Sequence, residues 1–417
     1  MHPSPAHRAG EGHETLPRPA TFAVEGSRSS ASSQALSLWL YLFRWLAAFD
    51  VLWGHVYNRH LLHVRDLPGS ERGVAHLLFA FPAGFLHFAV MGFFVLSGYL
   101  VGGRLLQEVR ETNGIDTKAY LVKRLVRLWI VLLPALILTL ALTRIGLSLQ
   151  PAIYGPEIGP ALGPRTFASN ALFLQTVLCG EYGDNFALWS LAYELWYYLA
   201  WLLFVVIFIR GLSILAKAIA VSCGIILLAA LTIRQFDGVP IALYMVIWLI
   251  GLWAATARRP LFGASLKLSA AVFLAYAIGF RLLVRDAAHL PTARLFLADF
   301  IMSITFANML IAMRLSPGLR PPPGAGAHKH LAGFSYSLYA THQPVLNCLG
   351  ALAVAAMGFG WHMMPEGFGA WAVILAAMAA AILAAYLFSL ATEAQTNRLR
   401  RRVLAIVERP ASLDVHQ

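Results

Sequence analysis

The chain has 417 residues, of which 59% are hydrophobic and only 12% are charged, about half the charged share of an ordinary soluble domain. Because the exterior of a soluble protein must be largely polar, this composition excludes a soluble enzyme, a disordered chain and a disulfide scaffold. It predicts an all-α polytopic membrane protein. The net charge of +12 does not indicate a nucleic-acid partner, since Lys and Arg collect in the cytoplasmic loops of membrane proteins. The three cysteines fit no metal motif, and no metal site is expected.

Residues 1–35 are polar and rich in Pro, Ser, Gly and Ala, and we expect them to form a disordered cytoplasmic tail. A window of about 19 residues then finds ten candidate membrane spans. They cover about residues 37–57, 77–101, 125–143, 188–209, 212–233, 239–256, 264–283, 295–313, 331–356 and 370–390. Four prolines in the connection 144–187 predict an irregular loop. Residues 391–417 are expected to form a basic cytoplasmic tail.

The distribution of basic residues predicts the orientation of the chain. With a cytoplasmic N-terminus, the inner segments and the span ends next to them hold 21 Lys and Arg residues, and the outer loops with their adjoining span ends hold nine. Cytoplasmic loops carry the excess of Lys and Arg in membrane proteins. This asymmetry predicts about ten helices with both termini in the cytoplasm.

Three polar residues lie inside the first span, where a charged side chain costs about 2.5–3.5 kcal/mol at mid-bilayer. Arg44 and His55 are 11 residues apart, so they lie on one helix face, about 16 Å apart along the axis. Asp50 lies about 120–140° away from both and is expected to face another neighbour. Snorkelling of Arg44 and simple packing of His55 are the alternatives, but the shared face favours a functional pair.

Two further groups of candidates lie at the cytoplasmic ends of the second and third spans. The small residues Ser97 and Gly98 permit the close approach of a helix or of a ligand. Arg124 and Arg127 are i,i+3 neighbours on one face, with Lys123 beside them, and paired guanidinium groups can bind a phosphate. The alternative for this basic cluster is a positive-inside anchor.

The fourth span begins with a polar stripe. Ser190, Glu194 and Tyr198 recur at i, i+4 and i+8 and share a face, while Trp189 is a plausible interface anchor. An intramembrane carboxylate is a candidate functional group, and its alternative is a structural partner for an arginine.

The ninth span also contains polar residues, among them Tyr336 and His342. Pro344 lies two residues after this histidine, where it is expected to kink the helix and to free a carbonyl group. A packing role is the alternative for His342.

Together these segments resemble the acyltransferase 3 family of membrane O-acyltransferases, over about residues 37–390. Five segments carry the resemblance: Arg44 and His55 as its Arg-x10-His, 93–100 as F-F-x-L-S-G-[FY]-L, 123–128 as R-x-x-R-[IL], 188–198 as W-S-L-x-x-E, and 334–344 as S-Y-S-[IL]-Y-x-x-H-x-P. The domain would then occupy residues 36–390. Asp50 and Thr341 depart from the family's usual apolar or aromatic residues, and neither removes a reacting group.

The resemblance implies transfer of an acyl group, most commonly acetyl, from cytosolic acyl-CoA to a hydroxyl of a glycan, a lipid-linked sugar or a glycoside. It implies no permanently bound cofactor and a multi-pass location in the bacterial cytoplasmic membrane. No fused second catalytic domain is expected, so transfer would finish within the helical domain or pass to a glycan-assembly partner. His55 is our candidate general base because a hydroxyl needs a group that removes its proton. Glu194 could orient His55 or pair with Arg44, and the residues do not decide between these roles.

The same basic cluster, Lys123, Arg124 and Arg127, would bind the CoA phosphates at the inner face. Arg44, in the inner half of its span, would contact the pantetheine or thioester end of the donor. Two other kinds of protein remain possible at this point: a transporter that moves a sugar or a proton through intramembrane Arg, His and Glu, and a non-catalytic membrane scaffold. A transporter would be expected to show an internal repeat with matched broken helices, and the sequence shows none.

Overall fold

A computed structural model describes residues 21–236, 238–262, 265–284 and 290–408, with side chains from residue 32 onward. Over these residues the chain is all-helical, as predicted. The helices are α1 (Thr21–His60), α2 (Val74–Ala83), α3 (Leu86–Ser97), α4 (Gly103–Thr112), α5 (Thr117–Leu149), α6 (Pro164–Ala171), α7 (Trp189–Phe204), α8 (Ile214–Arg234), α9 (Ile241–Thr256), α10 (Leu266–Leu283), α11 (Thr292–Leu315), α12 (Ala325–Ala332), α13 (Ser335–Met357), α14 (Gly367–Ala391) and α15 (Thr396–Val407). A π-helical turn, Gly98–Gly102, joins α3 to α4.

Eight segments of the described chain are long and apolar enough to cross a membrane, which makes this a polytopic membrane protein. The other two predicted spans also form helices but fall outside those eight. One is α9, which has only 16 residues. The other is α13, which has 23 residues but carries many polar side chains, most of them buried against neighbouring helices. The count of ten membrane crossings and the cytoplasmic location of both termini stay predictions.

Several element boundaries differ from those that hydropathy predicts. The first helix begins at Thr21, so residues 21–35 are helical rather than disordered, whereas residues 1–20 lie outside the described residues. Helix α5 continues to Leu149, and the connection predicted as an irregular loop contains the short helix α6. The predicted basic tail contains α15, an amphipathic helix that packs on α5. Hydropathy misses these extensions because polar helical turns resemble loops in composition.

Helix α13 lies at the centre of the bundle and packs against α1, α5 and α14. Its first turn lies beside the end of α14, because Ser337 contacts Glu393. We call this the Glu393 end of the bundle. The opposite end holds the last turn of α1 and the loop that carries Trp361, and we call it the Trp361 end.

Two glycines bring the π-helical turn and α9 into backbone contact. A Cβ atom at Gly98 would collide with the carbonyl oxygen of Trp248, and one at Gly251 would collide with that of Val95. The close approach predicted for Gly98 is therefore made by a helix. It also brings the indole of Trp248 next to Ser97.

Candidate active site

A cavity opens between α1, α3, α5, α7 and α13, and we call it the central cavity. The atom-free space between its walls, including its open mouth, is about 690 Å³. It is lined by Arg44, Phe93, Phe94, Leu96, Ser97, Leu100, Val101, Arg127, Ser190, Leu191, Glu194, Tyr198, Ser335, Tyr336 and Tyr339. Six of the sequence-predicted site residues are among them, on five helices that are far apart in sequence.

Arg44 pairs with a carboxylate that the sequence analysis did not single out. Its guanidinium lies 3.9 Å from Glu393 Oε1 and donates a 3.5 Å hydrogen bond to Ser335 Oγ. The other oxygen of Glu393 accepts 3.0 Å hydrogen bonds from both the backbone N–H and the hydroxyl of Ser337. Because these donors lie in the first turn of α13, Glu393 caps that helix from a distant segment. The cap fixes Arg44 relative to α13.

Glu194 makes its hydrogen bonds within a cluster of hydroxyl groups. It accepts a 3.0 Å bond from Ser97 Oγ and another from the hydroxyl of Tyr198. The indole N–H of Trp248 in turn donates to Ser97 Oγ at 3.1 Å. Among the described residues Glu194 makes no hydrogen bond to His55 or to Arg44, but it interacts electrostatically with Arg44. Its orientation of His55 and its pairing with Arg44 therefore stay predictions, while its hydrogen bonds hold the hydroxyl-lined wall of the cavity.

Of the three predicted donor-binding residues, Arg127 lines the cavity and interacts electrostatically with both Glu194 and Glu393. Arg124 lies outside the lining, with its guanidinium 5.7 Å from the ring centre of Tyr198, and its buried Nε atom has no hydrogen-bond partner among the described residues. Lys123 is exposed. Of the two arginines, only Arg127 is therefore part of the cavity wall.

His55 is paired with His342. The Nδ1 atom of His55 lies 2.7 Å from His342 Nε2, and His342 Nδ1 lies 2.9 Å from the carbonyl oxygen of Leu338. A carbonyl only accepts, so His342 Nδ1 carries a proton, and in the neutral imidazole its Nε2 must accept. His55 Nδ1 is then the donor of this pair. The tautomer assigned by this geometry leaves the Nε2 lone pair of His55 free.

Tyr339 connects the histidine pair with the central cavity. It lines the cavity, its hydroxyl lies 2.7 Å from Ser190 Oγ, and its ring centre is 6.1 Å from that of His342. Neither histidine lines the cavity itself. The pair therefore lies one side chain beyond the cavity, toward the Trp361 end.

The carbonyl group freed by Pro344 finds its partner on a distant loop. Proline has no N–H, so the carbonyl of Ala340 lacks its usual helical donor. The side-chain amide of Asn185 donates to that carbonyl at 2.9 Å, and the backbone N–H of Ala187 donates to Gln343 Oε1 at 2.8 Å. The loop before α7 is thereby attached to α13 beside His342.

The remaining candidates lie outside the cavity. Trp189 packs edge-on against Phe94 and Tyr193, which is a packing role. Asp50 is half-buried, and its Oδ2 atom is buried without a hydrogen-bond partner among the described residues. Within the same part of the chain, no three His, Cys, Asp or Glu side chains are grouped so as to hold a metal ion.

Two residues of the site were missed by the sequence analysis. Glu393 lies just beyond the last predicted span, in a segment whose many arginines suggested a solvated tail. An acidic residue directly at the end of a span was the available signal. Tyr339 is the second tyrosine of the S-Y-S-[IL]-Y-x-x-H-x-P segment and lies three residues before His342 on the same helix face. Its place in that segment was the available signal.

Comparison with known proteins adds one finding. Residues 37–390 match a protein-family model described as an acyltransferase domain, of the type acyltransferase 3. No curated protein and no solved structure matches the chain. The matched range coincides with the range over which the sequence motifs suggested the same resemblance, and it ends three residues before Glu393.

Proposed function

The chain belongs to the acyltransferase 3 family and is a membrane acyltransferase, and from this premise we propose that it transfers an acetyl group from cytosolic acetyl-CoA to a hydroxyl of a glycan, lipid-linked sugar or glycoside. We further propose that it acts in the bacterial cytoplasmic membrane. The family membership favours an enzyme over the transporter and the scaffold. The hydrogen-bonded pair of His55 and His342, one side chain away from a cavity that contains two arginines, carries the proposal.

The donor reaches the site from the Glu393 end. A CoA thioester carries several negative charges, which suits the guanidinium groups of Arg124 and Arg127. Arg124 lies outside the lining and would meet the phosphates, while Arg127 and Arg44 would meet the pantetheine and the thioester. Glu393 offsets part of this positive charge while the donor is absent.

The acceptor reaches His55 from the Trp361 end. The Nε2 atom of His55 removes the proton of the acceptor hydroxyl as its oxygen attacks the thioester carbonyl carbon. The carbon–sulfur bond then breaks, the acyl group stays on the acceptor oxygen as an ester, and the CoA thiolate takes up the proton from His55. His342 keeps the reactive nitrogen of His55 unprotonated before the reaction.

The test uses the purified full-length protein in lipid nanodiscs, radiolabelled acetyl-CoA, and a surface-glycan fraction from cells that lack the protein. We expect base-labile label on the glycan together with release of CoA. His55→Gln should abolish the transfer, whereas His330→Gln, which changes an exposed histidine, should not. Wild-type protein that neither labels the fraction nor releases CoA would contradict the proposal.

A further inference from the structure

Arg59 lies one helical turn beyond His55 on the same face of α1, toward the Trp361 end. Its guanidinium is 5.7 Å from the ring centre of Phe186 and 5.8 Å from that of Trp361. Within the described part of the chain, this guanidinium takes part in no hydrogen bond or ion pair, and Arg59 is partly exposed. Its N–H donors are therefore available to a ligand.

Both aromatic rings are carried by backbone that is firmly attached to the bundle. The loop around Trp361 bonds to the end of α1: His362 N donates to Arg59 O at 3.2 Å, and Met363 N donates to His60 O at 2.9 Å. A Cβ atom at Gly350 would collide with the indole ring of Trp361, so this ring lies directly on the backbone of α13. These contacts orient the ring before any ligand arrives.

Phe186 is held from the other side. It lies between Asn185 and Ala187, which are hydrogen-bonded to α13, yet 37% of Phe186 is exposed. An aromatic side chain that only faced lipid or anchored an interface would not need a cation at its face. The arrangement of two fixed rings around an unpaired guanidinium is instead suited to a ligand with both apolar and polar faces.

The charge at this place favours a neutral ligand. Asp184 interacts electrostatically with Arg59, and its own oxygens accept hydrogen bonds from Thr143 at 2.6 Å and from Asn347 at 2.8 Å. Burial raises the pKa of Asp184, while these hydrogen bonds and Arg59 lower it. A nearby acid partly offsets the positive charge of Arg59 and leaves its hydrogen-bond donors as the main polar feature.

We infer that Arg59, Phe186 and Trp361 form the acceptor subsite and bind a neutral sugar ring. The aromatic faces contact the C–H groups of the ring, whose partial positive charge suits the electron-rich face. Arg59 donates to ring hydroxyls. One helical turn separates Arg59 from His55, about 6 Å, so another hydroxyl of the same sugar reaches the free Nε2 atom. This inference rests on the proposed function.

The experiment measures acetyl transfer to the same glycan fraction at varied acceptor concentrations and at varied acetyl-CoA concentrations. Arg59→Gln and Trp361→Ala should each raise the apparent KM for the acceptor about tenfold or more, and Trp361→Phe should raise it less. The KM for acetyl-CoA should stay within about twofold of wild type, and thermal unfolding of each variant checks that it is folded. The matched control is Arg110→Gln, because Arg110 lies 5.8 Å from the ring centre of Phe208 in the same type of pair elsewhere on the chain.

An unchanged acceptor KM in Arg59→Gln, with wild-type protein active, would overturn the subsite and leave the proposed function intact. An equal rise in the KM for acetyl-CoA would overturn the subsite as well, because the variant would then weaken the binding of both substrates alike. Wild-type protein that transfers no label would overturn the proposed function itself. If Trp361→Ala is unstable, Arg59→Gln and Trp361→Phe decide the question.

Discussion

The histidine pair makes different predictions for its two members. If His55 is the base, His55→Gln should reduce kcat by about 10²–10⁴-fold, because an amide keeps hydrogen bonding but cannot take up the proton. Toward His55, His342 makes a single contact: its Nε2 atom accepts a 2.7 Å hydrogen bond from His55 Nδ1. Its contribution is therefore that of one orienting hydrogen bond.

The size of the second effect follows from that bond. A net hydrogen bond contributes about 0.5–1.5 kcal/mol, which corresponds to about a two- to thirteenfold loss of kcat in His342→Ala. His342→Gln should lose less, because its amide oxygen can accept from His55 in place of Nε2. The double variant His55→Gln/His342→Ala should be no slower than His55→Gln alone, since the orienting bond has no role without the base.

The assay is turnover of purified protein at saturating acetyl-CoA and saturating glycan, at matched protein concentration. The KM values for both substrates should change little in either single variant. Two results would refute these roles of the histidines: His342→Gln as slow as His55→Gln, or near wild-type turnover of His55→Gln. The first result would make His342 part of the chemistry, and the second would place the base elsewhere.

Three further predictions concern the walls of the site. Arg127→Ala should raise the KM for acetyl-CoA more than the KM for the glycan. Arg127→Lys should restore the acetyl-CoA KM only poorly, because a lysine lacks the bidentate fork. An Arg127→Ala variant that binds acetyl-CoA as tightly as wild type in a titration would count against this role. Glu393→Ala should lower the free energy of unfolding by about 1–3 kcal/mol, because the α13 cap is lost. In thermal unfolding, Glu393→Gln should behave close to wild type. Equal losses of stability in the two variants would show that capping is not the role of Glu393. Asn185→Ala should lower the free energy of unfolding by about 1–3 kcal/mol, because the carbonyl of Ala340 is left unpaired. Adding Pro344→Ala to this variant should restore much of the loss, because residue 344 then supplies the helical N–H. A double variant no more stable than Asn185→Ala would disprove that explanation.

The sequence by itself determined the class of protein and most of its helices. Low charge and long apolar runs require a membrane, because no soluble fold can bury so much apolar surface. The i,i+4 spacing of Ser190, Glu194 and Tyr198 placed them on one face, and all three line the central cavity. The ordered motifs between Arg44 and Pro344 indicated the family that the comparison identifies.

Only the tertiary structure decided which partner each polar side chain meets. Periodicity tells which residues share a helix face, but not which other helix that face contacts. The partner of Arg44 is Glu393, 349 positions away in a segment that looked like a solvated tail, and the partner of His55 is His342 rather than Glu194. The carbonyl freed by Pro344 was predictable from covalent chemistry, but its donor Asn185 was not. Each pairing depends on helix packing and on loop attachment, which a local pattern does not encode.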